Sequence, residues 1–492
     1  MSIIIGINAY HGDSSVCLVK DGILVAAAEE ERFKRIKHWA GFPIDSLRYC
    51  LDEAKISLDD VHHIAVNSDP KANLGRKIIY SVLKRPNFGF LMDRLKNKRN
   101  RLSIKDELRA LIPESNFSGD IHNIEHHLCH LSSSYYVSNF EKSVAISVDG
   151  FGDFSSAAWG TCEKNNIEID NKVYFPHSLG IFYQAMTQFM GFPYYGDEYK
   201  VMGMAAYGEP KYLDQLRSVV FFEKDGKFRL NLDHFIHHNT KIDYQWEGGI
   251  PSVGSLFHLD SLEELFQIKH RDNNEELQQQ HFDLAKSTQT MYEEVFYNLL
   301  NATHSQYGID NLSLAGGCAM NSLANGGIFK HTPYKKVYIQ SAAGDAGGAI
   351  GAAYVVANNL GELVDNFQMT NAFYGPSFNN DYHEKLLNEK KEQLDSNNCI
   401  VEKFEKEKDL CKKTAEAIAD GKVIGWFQGR MEWGPRALGN RSILCDPRRE
   451  DIREILNLKI KRRESFRPFA PAILFEDIDD WFDENHEVPF MM

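Results

Sequence analysis

The chain has 492 residues, 43% of them apolar and 35 of them glycine, with 55 Lys and Arg against 69 Asp and Glu, a net charge of −14. This length allows two to four domains with substantial cores, and the composition excludes a largely disordered chain. The acidic balance speaks against general nucleic-acid binding, and no stretch approaches the ~18 uncharged apolar residues of a membrane span.

The first thirty residues predict strand, polar loop and hairpin. Ile3–Ala9 is apolar and β-branched, Tyr10–Ser15 is polar, and Val16–Lys20 and Ile23–Ala28 flank an Asp21-Gly22 turn. Met1–Gly6 has neither a basic n-region nor a long apolar core, so no secretory leader is expected. Cysteines stand at 17, 50, 129, 162, 318, 399, 411 and 445 with no C-x-x-C pair. That pattern speaks against a disulfide framework or thiolate zinc site and predicts a reducing, cytoplasmic home. Between Lys71 and Arg109 the local charge is +9. Interleaved Ile78, Val82, Leu83, Leu91 and Leu95 predict amphipathic helices, either a solvated insertion or a surface that steers anions.

His126 and His130 follow in Glu125-His126-His127-Leu128-Cys129-His130. A spacing of four puts both imidazoles on one helix face, as two ligands of one metal require, although helical histidines also occur in purely structural roles. His127 occupies the place where a His-Glu-x-x-His protease carries its base, so that chemistry is excluded. Asp149 stands at a predicted strand end beside Gly150, and Asp345 lies in the glycine-rich loop Gly344–Gly351. Two imidazoles and two carboxylates suit iron, zinc or manganese better than calcium.

Residues 143–160 repeat the shape of the N-terminus. His11-Gly12-Asp13-Ser14-Ser15 and Gly152-Asp153-Phe154-Ser155-Ser156 each link two apolar strands. The repetition predicts a duplicated α/β domain with a ligand cleft between its halves. His11, in the first polar loop, is either a general base at that cleft or a histidine bonded to backbone.

Leu277–Tyr307 has helical periodicity, with Phe282, Leu284, Met291, Val295, Leu299 and Leu300 on one side. Strands at 312–315 and 336–340 each run into a glycine loop and then a helix, the second helix reaching Val356. The first loop, Ala315-Gly316-Gly317-Cys318-Ala319-Met320-Asn321, is neither a Walker A loop nor a G-x-G-x-x-G fingerprint. It reads as a tight turn or as backbone that approaches a nucleotide at a helix N-terminus.

Regularity fades over 358–400, which predicts a boundary, with domains at 1–360 and 370–492. The second domain is expected to hold a helix near Leu410–Ala419 and a strand near Val423–Gln428. Arg430, Arg436 and Arg441 follow on a Gly/Pro-shaped loop, then Lys459, Lys461, Arg462, Arg463 and Arg467. Arginine forks in that density suit an anion pocket, with a plain basic surface as the alternative. The last residues, Val488-Pro489-Phe490-Met491-Met492, form a fresh apolar segment, which predicts that the natural chain continues.

Nine motifs occur in order: His11-Gly12-Asp13-Ser14-Ser15, Glu29-Glu30-Glu31-Arg32-Phe33, His126-His127-x-x-His130, Ser147-Val148-Asp149-Gly150, Asp197 to Gly203, Ala315-Gly316-Gly317, Gly344 to Gly348, Gly434-Pro435-Arg436-Ala437-Leu438-Gly439 and Ser465 to Pro471. Together they resemble the O-carbamoyltransferases of nodulation-factor and antibiotic tailoring, from the N-terminus to the last residues. The resemblance implies an actin-like ATPase-fold first domain, similar to the threonylcarbamoyl-tRNA transferase. A YrdC-like α/β second domain follows, which here would be incomplete. It further implies that ATP and carbamoyl phosphate give carbamoyladenylate in the second domain. The first domain then transfers the carbamoyl group to a hydroxyl of a small metabolite or sugar, with a bound metal, commonly iron, at the phosphate.

By the same resemblance, His126, His130, Asp149 and Asp345 are the metal set and His11 the base. Gly316, Gly317 and Asn321 fall at the nucleotide loop, Arg436, Lys461 and Arg467 bind phosphate, and Lys37 faces the adenylate. No nucleic-acid or membrane partner is expected, and a homodimer is compatible. The rival readings are a tRNA-modifying transferase and a nucleotide-binding protein without turnover.

Overall fold

The apolar run at the N-terminus is nearly continuous rather than alternating, because β1 (Ile3–Asn8) is a central strand covered on both faces. The computed structural model describes residues 2–84, 104–240, 242, 244–245, 247–249, 251–365, 367–483 and 486–492. The chain forms two compact units, Met1–Thr370 with Phe490–Met492 and Asn371–Pro489.

Unit 1 holds two five-stranded sheets. In the first, β2 (Ser15–Lys20) and β3 (Ile23–Glu29) continue β1 as an antiparallel meander, and β4 (His63–Val66) and β5 (Asp120–Asn123) add on its other side in parallel. The order is β3-β2-β1-β4-β5. The second sheet uses β6 (Lys142–Gly152), β7 (Ser155–Glu163), β8 (Asn166–Tyr174), β9 (Asn311–Ala315) and β10 (Lys336–Ile339). Its order is β10-β9-β6-β7-β8, again three antiparallel strands followed by two parallel ones. The two sheets therefore match strand for strand, and the repetition read at residues 143–160 is the visible end of a whole repeated sheet.

Helix α1 (Ile44–Ala54) packs on the first sheet, and three helices position the site: α2 (His126–Tyr135), α3 (Gln279–Tyr307) and α4 (Gly347–Asn359). On α3 the expected face is buried at Leu284, Met291, Val295, Leu299 and Leu300, while Phe282 is half-buried and meets the Tyr207 ring edge-on. Helix α4 is built of Gly and Ala because it packs backbone to backbone. A Cβ at Gly351 would lie 1.8 Å from the Cys129 carbonyl oxygen of α2. That close approach brings the Asp345 loop, just ahead of α4, onto the first turn of α2.

The loop after β9 departs from expectation. Instead of opening a long helix, Gly316-Gly317 leads into a single 3₁₀ turn, Gly317–Met320, and a five-residue helix, Ser322–Gly326. Gly316 has φ 92°, which bends the chain away from a direct strand-to-helix path, and the Asn321 side chain accepts from Ala324 N to start the short helix. A helix of five residues offers little dipole field, so the helix-terminus argument for phosphate binding fails at this loop.

In unit 2 the helix near Leu410–Ala419 is Glu407–Ala419, and the strand near Val423–Gln428 is β11 (Ile424–Phe427), paired antiparallel with β12 (Arg441–Leu444). Residues read as irregular form two helices, Asn380–Glu389 and Lys391–Ser396. They bury no residue, so they lack the apolar stripe that periodicity detects. Of the basic segment, Leu74–Lys84 and Ile104–Leu111 are helical, while residues 85–103, including Leu91 and Leu95, lie outside the described residues. All eight cysteines are free. Among the described residues no helix is long and apolar enough to cross a membrane.

Candidate metal centre and arginine loop

Successive turns of α2 carry His126 and His130, and the strand end of β6 carries Asp149. His126 Nε2 and His130 Nε2 lie 3.0 Å apart, and Asp149 Oδ2 lies 3.0 and 3.1 Å from them. Asp345 Oδ1 completes the set at 3.6 and 3.7 Å. Four donors bound to one ion at ~2.0–2.2 Å would sit about 3.0–3.5 Å apart, so this set fits a transition metal.

The electrostatics agree. Burial alone would discharge these groups, but hydrogen bonding to the carboxylates outweighs it, raising His126 and lifting His130 to about 9. Burial would likewise raise Asp149, yet the two imidazoles hold it well below the usual carboxylate range. The carboxylates favour positive charge between the rings, which a di- or trivalent cation would supply.

A surrounding layer holds the ligands in place. Gly317 N donates to Asp149 Oδ1 at 3.1 Å, and Ser178 Oγ donates to the Asp149 carbonyl at 3.0 Å. Asp153 Oδ2 accepts from the His126 backbone at 3.0 Å and from Asp69 N at 2.8 Å. Glu125 caps α2 by accepting from Leu128 N at 2.8 Å and pairs with Lys172 at 2.7 Å. A Cβ at Gly152 would fall 1.9 Å from His126 Cδ2, so only glycine leaves room for the ring there.

His11 lies at this centre, its ring centroid 6.5 Å from that of His126. Its loop is pinned by Asn8, which donates to the Gly12 and Asp13 carbonyls. Asp13 Oδ1 in turn lies 2.8 Å from His38 Nδ1, and the His38 ring meets Tyr195 edge-on at 5.6 Å. Lys37 is exposed, with its ammonium 5.6 Å from the Tyr199 ring centroid. Asn321 engages Gln289 in two hydrogen bonds, at 2.9 and 3.0 Å, besides capping its helix. Gly316 sits against the Val148 backbone and Gly317 against Asp149, and the Asn321 side chain is occupied by protein groups.

Unit 2 is organised differently. Glu432, 1% exposed, accepts from the backbone N–H groups of Leu438, Asn440 and Arg441 at 2.7, 2.9 and 3.3 Å and pairs with Arg441 Nε at 2.6 Å. These bonds outweigh burial and lower its pKa. They curl residues 432–441 around one carboxylate. Arg436 Nε is buried with no hydrogen-bond partner, and burial together with the Arg467 charge lowers the Arg436 pKa. Arg467 lies 3.6 Å from Glu464, and Lys461 is exposed. Two guanidiniums close enough to repel, one of them under-bonded, are what an anion would relieve.

Sequence reasoning missed Glu432 and Asp153, and it read Gly317 as part of a nucleotide loop rather than as the donor to Asp149. Asp153 had a signal in the repeated Gly-Asp pair. The other two act through folded backbone, which leaves no mark on local spacing.

The model of the carbamoyltransferase N-terminus matches residues 3–354, and that of the carbamoyltransferase C-terminus matches residues 415–492. The second match runs to the last residue and lends the expectation of an incomplete second domain no support. An uncharacterized protein of Synechocystis sp. is 37% identical across all of this chain and 79% of its own length. Nodulation protein NolNO of Sinorhizobium fredii is 33% identical across 98% of this chain, which spans 66% of that protein. A 3'-hydroxymethylcephem-O-carbamoyltransferase of Streptomyces clavuligerus is 30% identical over 37% of this chain and 31% of its own length. With matches at both ends of the chain, and a relative of that similarity along its whole length, the chain belongs to the carbamoyltransferase family.

Proposed function

We propose that the protein is an ATP-dependent O-carbamoyltransferase. Carbamoyl phosphate, ATP and one water give carbamoyladenylate, phosphate and pyrophosphate. The acceptor hydroxyl then attacks the carbamoyl carbon and AMP departs. The observation that carries this reading is the largely buried His126, His130, Asp149 and Asp345 cluster with His11 beside it. A phosphate-bearing intermediate and a base are needed together at the transfer step. The printed name of the cephem relative, an O-carbamoyltransferase acting on a hydroxymethyl group, supports a small hydroxylated metabolite or sugar as acceptor.

In this reading His126, His130, Asp149 and Asp345 hold a metal, with iron the preferred identity, and that ion supplies Lewis acidity toward a phosphate oxygen. His11 takes the proton of the attacking hydroxyl. Gly317 N–H keeps Asp149 aimed at the cluster. Gly316 and Gly317 leave backbone close to the adenylate phosphate, and Lys37 offers it a cation. The Asn321 side chain contributes by fixing that loop through Gln289. Unit 2 is read as YrdC-like, with Arg436, Arg467 and Lys461 neutralising carbamoyl phosphate. The matching strand orders of the two sheets support an actin-like ATPase fold for unit 1.

The test is carbamoyl transfer from labelled carbamoyl phosphate, with ATP and iron, to a panel of hydroxylated acceptors that includes a hydroxymethyl cephem. Labelled product that requires ATP is expected. Transfer without ATP, or label transferred only to tRNA, would contradict the reading.

A further inference from the structure

Three side chains on the first sheet, remote from the chemistry above, converge in the same manner as the metal set. His63 opens β4, and its parallel partner on β5 is Asp120. His122 lies two residues further along β5, opposite Ala65. Because side chains alternate along a strand, His63, Asp120 and His122 project from one face, and small Ala65 leaves His122 room to lean toward His63. His63 Nδ1 and His122 Nε2 are 3.1 Å apart, with ring centroids at 5.1 Å, and Asp120 Oδ2 is 4.0 Å from His63 Nδ1.

We propose that His63, His122 and Asp120 form a second divalent-cation site, suited to zinc or a similar late transition metal, with solvent completing the coordination. Two imidazole nitrogens bound tetrahedrally at ~2.0–2.1 Å lie about 3.3 Å apart, close to the separation observed. The Asp120 carboxylate, 79% exposed, needs to swing only about 0.7 Å to reach the same spacing from His63. A hydrogen bond between two neutral rings would account for the nitrogen contact alone. The third donor, delivered to the same face by the neighbouring strand, makes the group a chelate. Imidazole and carboxylate select zinc, nickel or copper over calcium and magnesium.

The location gives the site a role. β5 is the edge strand of its sheet and runs within three residues into α2. A cation that ties β4 to β5 steadies the strand leading to His126. The site is separate from the first, because the far end of β4, where Asn67 donates to the Asp345 carbonyl at 3.4 Å, is about 10 Å along the strand from His63.

The experiment is titration of the metal-stripped full chain with Co²⁺, read by visible absorption and by bound metal after gel filtration. Two equivalents are expected for the unaltered protein, one for His130→Ala and one for His122→Asn. The doubly substituted chain should hold none, with unchanged far-UV circular dichroism. If His122→Asn retains as many equivalents as the unaltered protein, the proposal is overturned. It is equally overturned if His130→Ala, still folded, binds none.

Discussion

The candidate metal centre of unit 1 and the arginine loop of unit 2 pose opposite electrostatic problems. In unit 1 two buried imidazoles, one buried carboxylate and one partly buried carboxylate come from α2, the end of β6 and the loop before α4, segments that span more than two hundred residues of chain. Asp149 is held by the hydrogen bond from Gly317 N and the His126 backbone by Asp153, while the buried Nδ1 of His130 has no partner. In unit 2 the cations come from the loop curled about the buried Glu432 and from Lys461 and Arg467 further along the chain, and Arg436 is left with a donor unmet. A metal site needs converging donors, and an anion site needs cations that the protein leaves incompletely paired. The two sites should therefore fail differently.

The largest effect is expected from His130→Ala. Changing a mere supporting residue costs about 10–100-fold in metal affinity, so loss of a direct donor should exceed about 100-fold, with transfer abolished. Elemental analysis of the purified variant checks this. Arg436→Ala should leave metal content intact while slowing carbamoyl-phosphate-dependent pyrophosphate release by roughly 10–100-fold. That range corresponds to a charged hydrogen bond of about 1.5–3 kcal/mol. Unaltered release in Arg436→Ala would show that the arginine loop takes no part in adenylate formation.

Gly152→Ala sharpens the contrast, because it touches no donor chemically. Its methyl group would meet the His126 ring, and metal affinity should fall about tenfold through displaced geometry alone. Equilibrium dialysis gives the number. The counterpart in unit 2 is Glu432→Gln, which keeps the size of the side chain but loses acceptor capacity for the curled loop. A loss of about 1–3 kcal/mol in urea-induced unfolding is expected, with the metal retained.

The smallest effect concerns pH. Burial opposes a charge on His38, but Asp13 and Glu31 raise it to about 9 from an ordinary value near 6.5. A raised imidazole contributes stability that is fully present below pH 6.5 and is lost as pH rises through about 9. The His38–Asp13 pair is partly exposed, so the change should be of order 1 kcal/mol, read from unfolding midpoints at pH 6 and pH 9.5. His38→Gln should flatten that difference. An equal pH dependence in the variant would assign it elsewhere.

The contrast between the two sites also marks what the sequence can carry. His126 and His130 were legible because helical spacing alone puts them on one face, and Asp149 and Asp345 because each sits beside glycine where a strand or loop ends. The repeated Gly-Asp and Ser-Ser loops pointed to the duplication, although only the strand orders reveal two equivalent sheets. Glu432 looked like one acid among arginines, since its partners are backbone groups that meet it only after the loop closes. The Gly316-Gly317 loop misled because a strand followed by glycines reads as a helix start, whereas Gly316 turns the chain toward Asp149. The helices over 380–396 escaped detection because solvent surrounds them.

The two sites divide the proposed reaction between them, with adenylate formation depending on Arg436 and transfer depending on the metal ligands. The most direct test is pyrophosphate release from ATP, with and without carbamoyl phosphate, in the unaltered protein, His130→Ala and Arg436→Ala. Release that requires carbamoyl phosphate, survives His130→Ala and is lost in Arg436→Ala is predicted. Release that fails in His130→Ala while persisting in Arg436→Ala, or that ignores carbamoyl phosphate altogether, would contradict that division.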